Sequence, residues 1–118
     1  MPPPGNTLSI IQKLTSAYKL WRDYWIHFDK LTRFGLGVKI DGLFIETMQN
    51  VFIASRKNRE YKKIYLDKAS DKLDLLKFLL QIAWETSVLD NKKYISLSQP
   101  LVEIGRMLGG WQKQTKTP

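Results

Sequence analysis

The feature that most constrains this chain is a set of four apolar stripes, in which apolar side chains recur three, four or seven residues apart. Such spacing places the apolar side chains on one face of an α-helix. The stripes are Ile11, Leu14, Tyr18, Trp21, Trp25 and Phe28; Phe34, Val38, Ile45, Met48 and Phe52; Leu66, Ala69, Leu73, Leu76, Leu80 and Ala83; and Tyr94, Leu97, Leu101, Ile104, Leu108 and Trp111. No segment alternates strictly like a half-buried strand. The sequence therefore predicts an all-α chain with four helices.

Short connections between the stripes predict how these helices are arranged. Residues 56–63 form a basic turn between the second and third helices, and Asp90 or Asn91 is placed to cap the fourth. Because short loops force consecutive helices to run antiparallel, we expect an up-down-up-down four-helix bundle.

The ends of the bundle and one proline are further expectations. We expect a disordered proline-rich N terminus over residues 1–6, the bundle over residues 7–111 and a flexible tail over residues 112–118. Gly109-Gly110 is a typical stop for the last helix. Pro100 falls within the fourth stripe, where we expect a kink rather than a restart of the helix.

The charge of the chain, formally +8, is concentrated in two segments. Residues 1–39 hold six basic and two acidic side chains, residues 56–72 hold seven and three, and the remainder holds six of each. A basic excess on a small domain favours polyanionic partners, nucleic acid before membrane. The alternative is a merely solvated surface.

Nothing in the sequence suggests catalysis. There is no cysteine and only one histidine, His27, so thiol chemistry and a bundle di-iron site are excluded. No serine or threonine has a recognisable base and orienting acid. We therefore expect no enzymatic activity, no cofactor and no metal. The absence of cysteine and of a signal-peptide pattern predicts a cytoplasmic protein.

The third helix carries a second apolar stripe beside its core stripe. A bundle helix usually buries one face, so the surplus predicts self-association. The predicted oligomer interface is Leu75, Phe78, Leu79 and Ile82. Ile40, Phe44 and Val51 suggest the same, more weakly, on the second helix. Burial of these residues within one distorted subunit is the alternative.

The two basic segments supply the candidate binding residues. The candidates for contact with nucleic acid or a protein partner are Lys19, Arg22, Lys30, Arg33, Arg56, Lys57, Arg59, Lys62 and Lys63. Aromatic residues lie among the first four, and such interleaving can stack bases while holding phosphates. Most of these aromatic side chains belong to the first stripe, which leaves Tyr24 as the one expected at the surface.

Several runs of residues resemble a known family. Residues 33–40, Arg-Phe-Gly-Leu-Gly-Val-Lys-Ile, are similar to its Arg-aromatic-x-Leu-Gly-x-x-Ile entry to the second helix. Residues 73–80, Leu-Asp-Leu-Leu-Lys-Phe-Leu-Leu, then Tyr94, and residues 103–111, Glu-Ile-Gly-Arg-Met-Leu-Gly-Gly-Trp, resemble its more specific signatures. The family is the four-helix-bundle group that contains the accessory variability determinant (Avd) of diversity-generating retroelements and the proteins of ribosomal RNA intervening sequences. The last runs resemble the Avd branch.

The resemblance implies a barrel-shaped homopentamer of four-helix subunits, basic on its outside. It implies a protein without catalytic activity that binds a retroelement reverse transcriptase and RNA or cDNA and supports mutagenic copying of a template RNA. Two alternatives stay open. One is an intervening-sequence-type bundle protein without a reverse transcriptase partner, and the other is a basic oligomeric scaffold that binds an acidic protein.

Overall fold

The computed structural model describes residues 4–115, and the side chains of residues 9–115. Its helices are α1 (Pro4–Trp25), α2 (Lys30–Phe34), α3 (Leu36–Ser55), α4 (Arg59–Glu85) and α5 (Asn91–Gln114). The four long helices are those predicted from the stripes. The five-residue α2 was not predicted. The expectations for residues 1–3 and 116–118 lie outside the described residues.

The long helices form the predicted up-down-up-down bundle. Each packs against two neighbours, in the order α1, α3, α4, α5 and back to α1. The result is a rod with principal extents of 48 × 22 × 20 Å. None of its helices within residues 4–115 is both long and apolar enough to cross a membrane.

Side-chain caps start three of the helices. Asp29, Asn58 and Asp90 have extended backbones, and each accepts a hydrogen bond from the backbone N–H three residues ahead. Such a cap satisfies one of the free N–H groups of the first turn. The prediction of Asp90 as the cap of the last helix is confirmed. The cap at Asn58 begins α4 within the segment predicted to be a turn.

The third and fourth stripes form the core as predicted. All six residues of the third stripe, and the fourth from Leu97 to Trp111, are at most 1% exposed. The first stripe is broader than predicted, because Ile10 and Ala17 are buried beside Leu14 and Trp21. The buried residues of all four long helices belong to one cluster.

The prediction for the second stripe is wrong. Val38, Ile45 and Phe52 are exposed, whereas the supposed surplus residues Ile40, Phe44 and Val51 are fully buried. Thr47 explains why the sequence indicated the wrong face of this helix. This polar residue interrupts the row of apolar residues that is actually buried. Its hydroxyl donates to the Leu43 carbonyl at 2.7 Å, so it is buried without an unpaired donor.

Helix α5 is longer than predicted. It runs without interruption from Asn91 to Gln114, with Pro100 inside it. Leu97 and Leu101 are both buried, so the core register is maintained across the proline. The helix also continues through Gly109-Gly110, which makes the predicted stop there wrong. With α1 beginning at Pro4, the helices extend beyond the predicted limits of 7–111.

Helix α2 folds back against the end of α1. The Trp25 indole Nε1 donates to the Arg33 carbonyl at 2.8 Å. Gly37 lies beneath the same indole, where a Cβ atom would stand 2.4 Å from Trp25 Nε1. No larger residue fits there without moving the ring. This contact fixes the direction in which the chain enters α3.

Candidate binding surfaces

Ion pairs neutralise the middle of the rod. Lys13 of α1 pairs with Glu103 of α5 at 3.3 Å, and Glu46 of α3 lies 3.7 Å from Lys72 of α4. All four residues are near the midpoints of their helices. Each pair contributes little to stability because it is largely exposed. Their effect is to leave the middle of the rod close to electrically neutral.

The first basic group lies at one end of the rod, where α3 turns into α4. Arg56 and Lys57 are exposed and have no carboxylate within salt-bridge distance among residues 9–115. The Arg56 guanidinium carbon is 5.8 Å from the Phe52 ring centroid, and Lys57 Nζ is 5.8 Å from that of Tyr65. Cations over aromatic faces at the surface fit a site for a polyanion.

The other three predicted residues at this end, Lys62, Lys63 and Arg59, each have a partner within the protein. Lys62 is 6% exposed, and its Nζ donates to the Ala54 carbonyl at 2.9 Å. It also lies 5.4 Å from the Trp111 ring centroid, and burial lowers the pKa of its ammonium group. Lys62 therefore closes the end of α3 inside the bundle and is not part of the exposed surface.

Lys63 and Arg59 remain exposed but are also engaged. Lys63 Nζ pairs with the Asp67 carboxylate at 2.7 Å. The Arg59 guanidinium donates to the Gln114 carbonyl at 3.3 Å and so connects the start of α4 to the end of α5. Of the five candidates at this end, Arg56 and Lys57 are the ones best placed for a partner.

The second basic group lies at the opposite end, around α2. Lys19 and Lys30 are exposed and make no ion pair within residues 9–115. The Arg22 guanidinium carbon lies 5.3 Å from the Trp25 ring centroid. Arg22 also donates to the Tyr18 hydroxyl at 3.3 Å, and this hydrogen bond raises the pKa of the guanidinium. Arg33 is half-buried beside Phe34.

Two lysines at this end were missed from the sequence. Lys92 and Lys93 begin α5 and are exposed. Lys93 Nζ lies 5.5 Å from the ring centroid of Tyr24, which is half-buried rather than fully exposed. The antiparallel order predicted for the helices already places the start of α5 beside the end of α1. Both lysines are identified when the charge is summed over each end of the bundle instead of over each segment of the sequence.

Part of the predicted oligomer interface is open to solvent. Leu75 is 45% and Phe78 54% exposed, whereas Leu79 and Ile82 are half-buried. Tyr61 and Ile64 lie on the same face of α4 two heptads before Leu75 and Phe78, with the charged residues Lys68 and Asp71 between them. We call Tyr61, Ile64, Leu75, Phe78 and Ile82 the α4 stripe.

A second apolar face lies on α3. It consists of residues that the sequence placed in the core but that are exposed. Val38, Ile45 and Phe52, spaced seven residues apart, are 47%, 38% and 53% exposed. We call them the α3 stripe. They point away from the buried residues Ile40 and Phe44. The subunit therefore presents apolar side chains on two neighbouring helices without a covering element among the described residues.

The next feature is the placement of the potential metal ligands among the described residues. Within residues 4–115, no three His, Asp or Glu side chains converge as metal ligands. His27 is exposed at the end of α1. The arrangement offers charge at the two ends and apolar surface along the sides, which suits binding.

Comparison with known proteins identifies the family. The chain has a TM-score of 0.81 to the crystal structure of a protein of unknown function from the S23 ribosomal protein family of Bacteroides thetaiotaomicron VPI-5482. The match covers 92% of this chain and 98% of that one at 16% identity, so it concerns the fold alone. A search of curated proteins found no significant match. A family model described as bAvd-like matches residues 9–115, and the chain therefore belongs to the bAvd-like family.

Proposed function

We propose that this chain is a cytoplasmic, non-enzymatic accessory protein of a diversity-generating retroelement. It binds the reverse transcriptase together with template RNA or cDNA and supports mutagenic reverse transcription. Membership of the bAvd-like family is the observation that carries the proposal. The unneutralised cations at the two ends of the rod support it, because phosphate neutralisation supplies most of the affinity of weakly sequence-specific binding.

We further propose that the working form is a ring of identical subunits. The α4 stripe of one copy packs against the α3 stripe of the next. A contact between two different faces repeats from copy to copy and closes into a ring when the rotation allows. The family resemblance suggests five copies, which would carry 5 × 8 = +40 formal charges. Such a ring attracts nucleic acid far more strongly than one subunit.

The oligomer is tested with Phe78→Glu. A charge in an apolar contact is costly, so the variant should fall from about five times the subunit mass of 13.8 kDa to the subunit mass itself. Light scattering at micromolar concentration measures this mass. Val102→Glu is the matched control, because Val102 is 44% exposed on α5, outside both stripes. A wild-type monomer, or equal dissociation by both variants, would contradict the ring.

The binding surface is tested by charge reversal at one end of the rod. Arg56→Glu with Lys57→Glu should weaken capture of the cognate reverse transcriptase–RNA complex by at least about tenfold. Lys39→Glu with Arg106→Glu is the control, since both side chains are exposed, make no ion pair within residues 9–115, lie away from this end and give the same change in net charge. Helicity and oligomer mass should be unchanged in both.

Each outcome of this assay has a definite meaning. Equal losses in the two double variants would identify a generic attraction to polyanions. If capture is undiminished in both double variants, the docking surface lies instead at the other end, around Lys19 and Lys30. Failure of the wild-type protein to bind any reverse transcriptase encoded beside it, or absence of such a gene, would favour the intervening-sequence-type protein or the scaffold.

A further inference from the structure

The most exposed large apolar side chain of the described residues belongs to the short helix α2. Leu31 is 85% exposed, and its neighbours Phe34 and Ile26 are 63% and 54% exposed. Together with Arg33 we call these residues the elbow patch. It lies where the chain turns from α1 into α3.

The fold does not need the apolar side chains of this patch. Backbone groups hold α2 in place, through the Trp25 indole on the Arg33 carbonyl and the Asp29 cap on the Thr32 N–H. Leu31 and Phe34 contribute little burial. Exposed apolar side chains on a rigidly held element are typical of a surface used for contact with another molecule.

Arg33 provides a cation at the centre of the patch. Its Nη1 donates to the Ile26 carbonyl at 3.3 Å, and its guanidinium carbon lies 5.2 Å from the Phe34 ring centroid. The Nε atom is buried without a hydrogen-bond acceptor. No carboxylate lies within 4.0 Å of this guanidinium among residues 9–115. Because Nε is buried, the donors that Arg33 retains for a carboxylate of another molecule are those of its Nη atoms.

Two of the nearby carboxylates of the chain, Asp29 and Asp41, are already in use, whereas Asp23, three residues before Ile26, is exposed. Asp29 caps α2, and hydrogen bonds from the side chain and backbone of Thr32 lower the pKa of its carboxyl group. Asp41 accepts a hydrogen bond from the Trp21 indole at 3.3 Å. Lys30 adds a further exposed, unpaired cation next to Leu31. The patch therefore combines apolar surface with two cations, Lys30 and Arg33, that form no ion pair within residues 9–115.

We propose that the elbow patch binds an acidic amphipathic helix of a partner protein. Apolar side chains of that helix cover Leu31, Phe34 and Ile26, and a carboxylate pairs with the Nη atoms of the Arg33 guanidinium. Aliphatic side chains such as Leu31 and Ile26 give bases no face to stack on, so the composition favours a peptide over nucleic acid. The inference goes beyond the proposed function and does not depend on binding of RNA.

A designed peptide tests the proposal on the full-length protein. The probe is a fluorescein-labelled helix of about 18 residues, roughly 27 Å long, with Leu at the a and d positions of each heptad and Glu elsewhere. Fluorescence anisotropy measures its affinity. One counterpart replaces every Glu with Lys and another replaces every Leu with Ser. Both should bind at least about tenfold more weakly, because charge and apolar surface are each required.

Variants of the protein locate the site. Leu31→Ser with Phe34→Ser, and separately Arg33→Gln, should each lower the affinity by about tenfold. Val102→Ser and Arg106→Gln on α5 are matched controls that should leave it unchanged, since both side chains are exposed far along another helix. Thermal unfolding checks that every variant is folded, and the Leu31 and Phe34 changes preserve the fold in any case because these side chains are solvent-exposed.

Three results would overturn the proposal. The first is equal affinity for the Glu and Lys peptides. The second is equal loss of affinity in the elbow and α5 variants. The third is an oligouridylate of similar length that displaces the peptide and loses affinity in the same elbow variants, which would make the patch a nucleic-acid site.

Discussion

Replacing Trp21 with alanine is expected to lower the free energy of unfolding by about 3 to 5 kcal/mol. Trp21 is fully buried, and its ring centroid lies 6.1 Å from those of Trp25 and Phe44 and 5.7 Å from that of Phe28. Its removal leaves a cavity where α1, α3 and the turn before α2 meet. Because a small domain has only about 5 to 15 kcal/mol of stability, this single change removes between about a fifth and all of it.

The matched control for this change is Trp84→Ala. Trp84 is 40% exposed and stacks on Tyr94 with centroids 5.2 Å apart. Its loss should lower the free energy of unfolding by less than the loss of Trp21, because part of the Trp84 ring is already in water. Urea unfolding followed by circular dichroism, at one fixed protein concentration, measures both variants. Losses of similar size would show that the Trp21 cluster is not the packing centre of its end of the rod.

The affinity of the protein for RNA is expected to fall by about a thousandfold between 50 and 200 mM salt, if six or more phosphates are neutralised. Arg56 and Lys57 at one end, and Lys19, Lys30 and Lys92 at the other, are exposed and unpaired within the described residues. Cations of this kind bind phosphates and release counterions. RNAs of equal length and structure should bind alike, since phosphate contacts carry no sequence information.

Fluorescence anisotropy with two unrelated RNAs, titrated at several salt concentrations, measures this dependence. Arg56→Glu with Lys57→Glu should make the slope of log affinity against log salt shallower by about two, roughly one for each phosphate contact removed. A slope near zero, or strong preference for one of the RNAs, would show that base contacts rather than the basic ends determine binding.

The sequence predicts the fold well where one stripe dominates a helix. In α4 from Leu66 to Ala83, and in α5, the buried residues are all apolar, so their spacing alone identifies the buried face. In α3 two apolar faces compete, and Thr47 makes the truly buried one look weaker. Its hydroxyl is satisfied by a carbonyl of its own helix, a contact that residue spacing does not reveal.

The candidate binding residues were harder to predict, because exposure depends on tertiary contacts. Lys62 looks like its neighbours in the sequence, yet its amine reaches the Ala54 carbonyl across the turn. Lys92 and Lys93 belong to a segment without net basic excess and join the α2 end only through the antiparallel packing of the helices. Leu31 stands in a short helix that no periodicity indicated.

The unequal distribution of ion pairs along the rod limits the directions in which copies can associate. End-to-end approach brings unneutralised cations together, and these repel within the Debye length of about 8 Å at physiological salt. Sideways approach brings neutral middles and apolar helices into contact. End-to-end association is therefore opposed at both ends of the rod, so the molecule resists stacking into fibres along its long axis. Lateral assembly into an oligomer of finite size is not opposed.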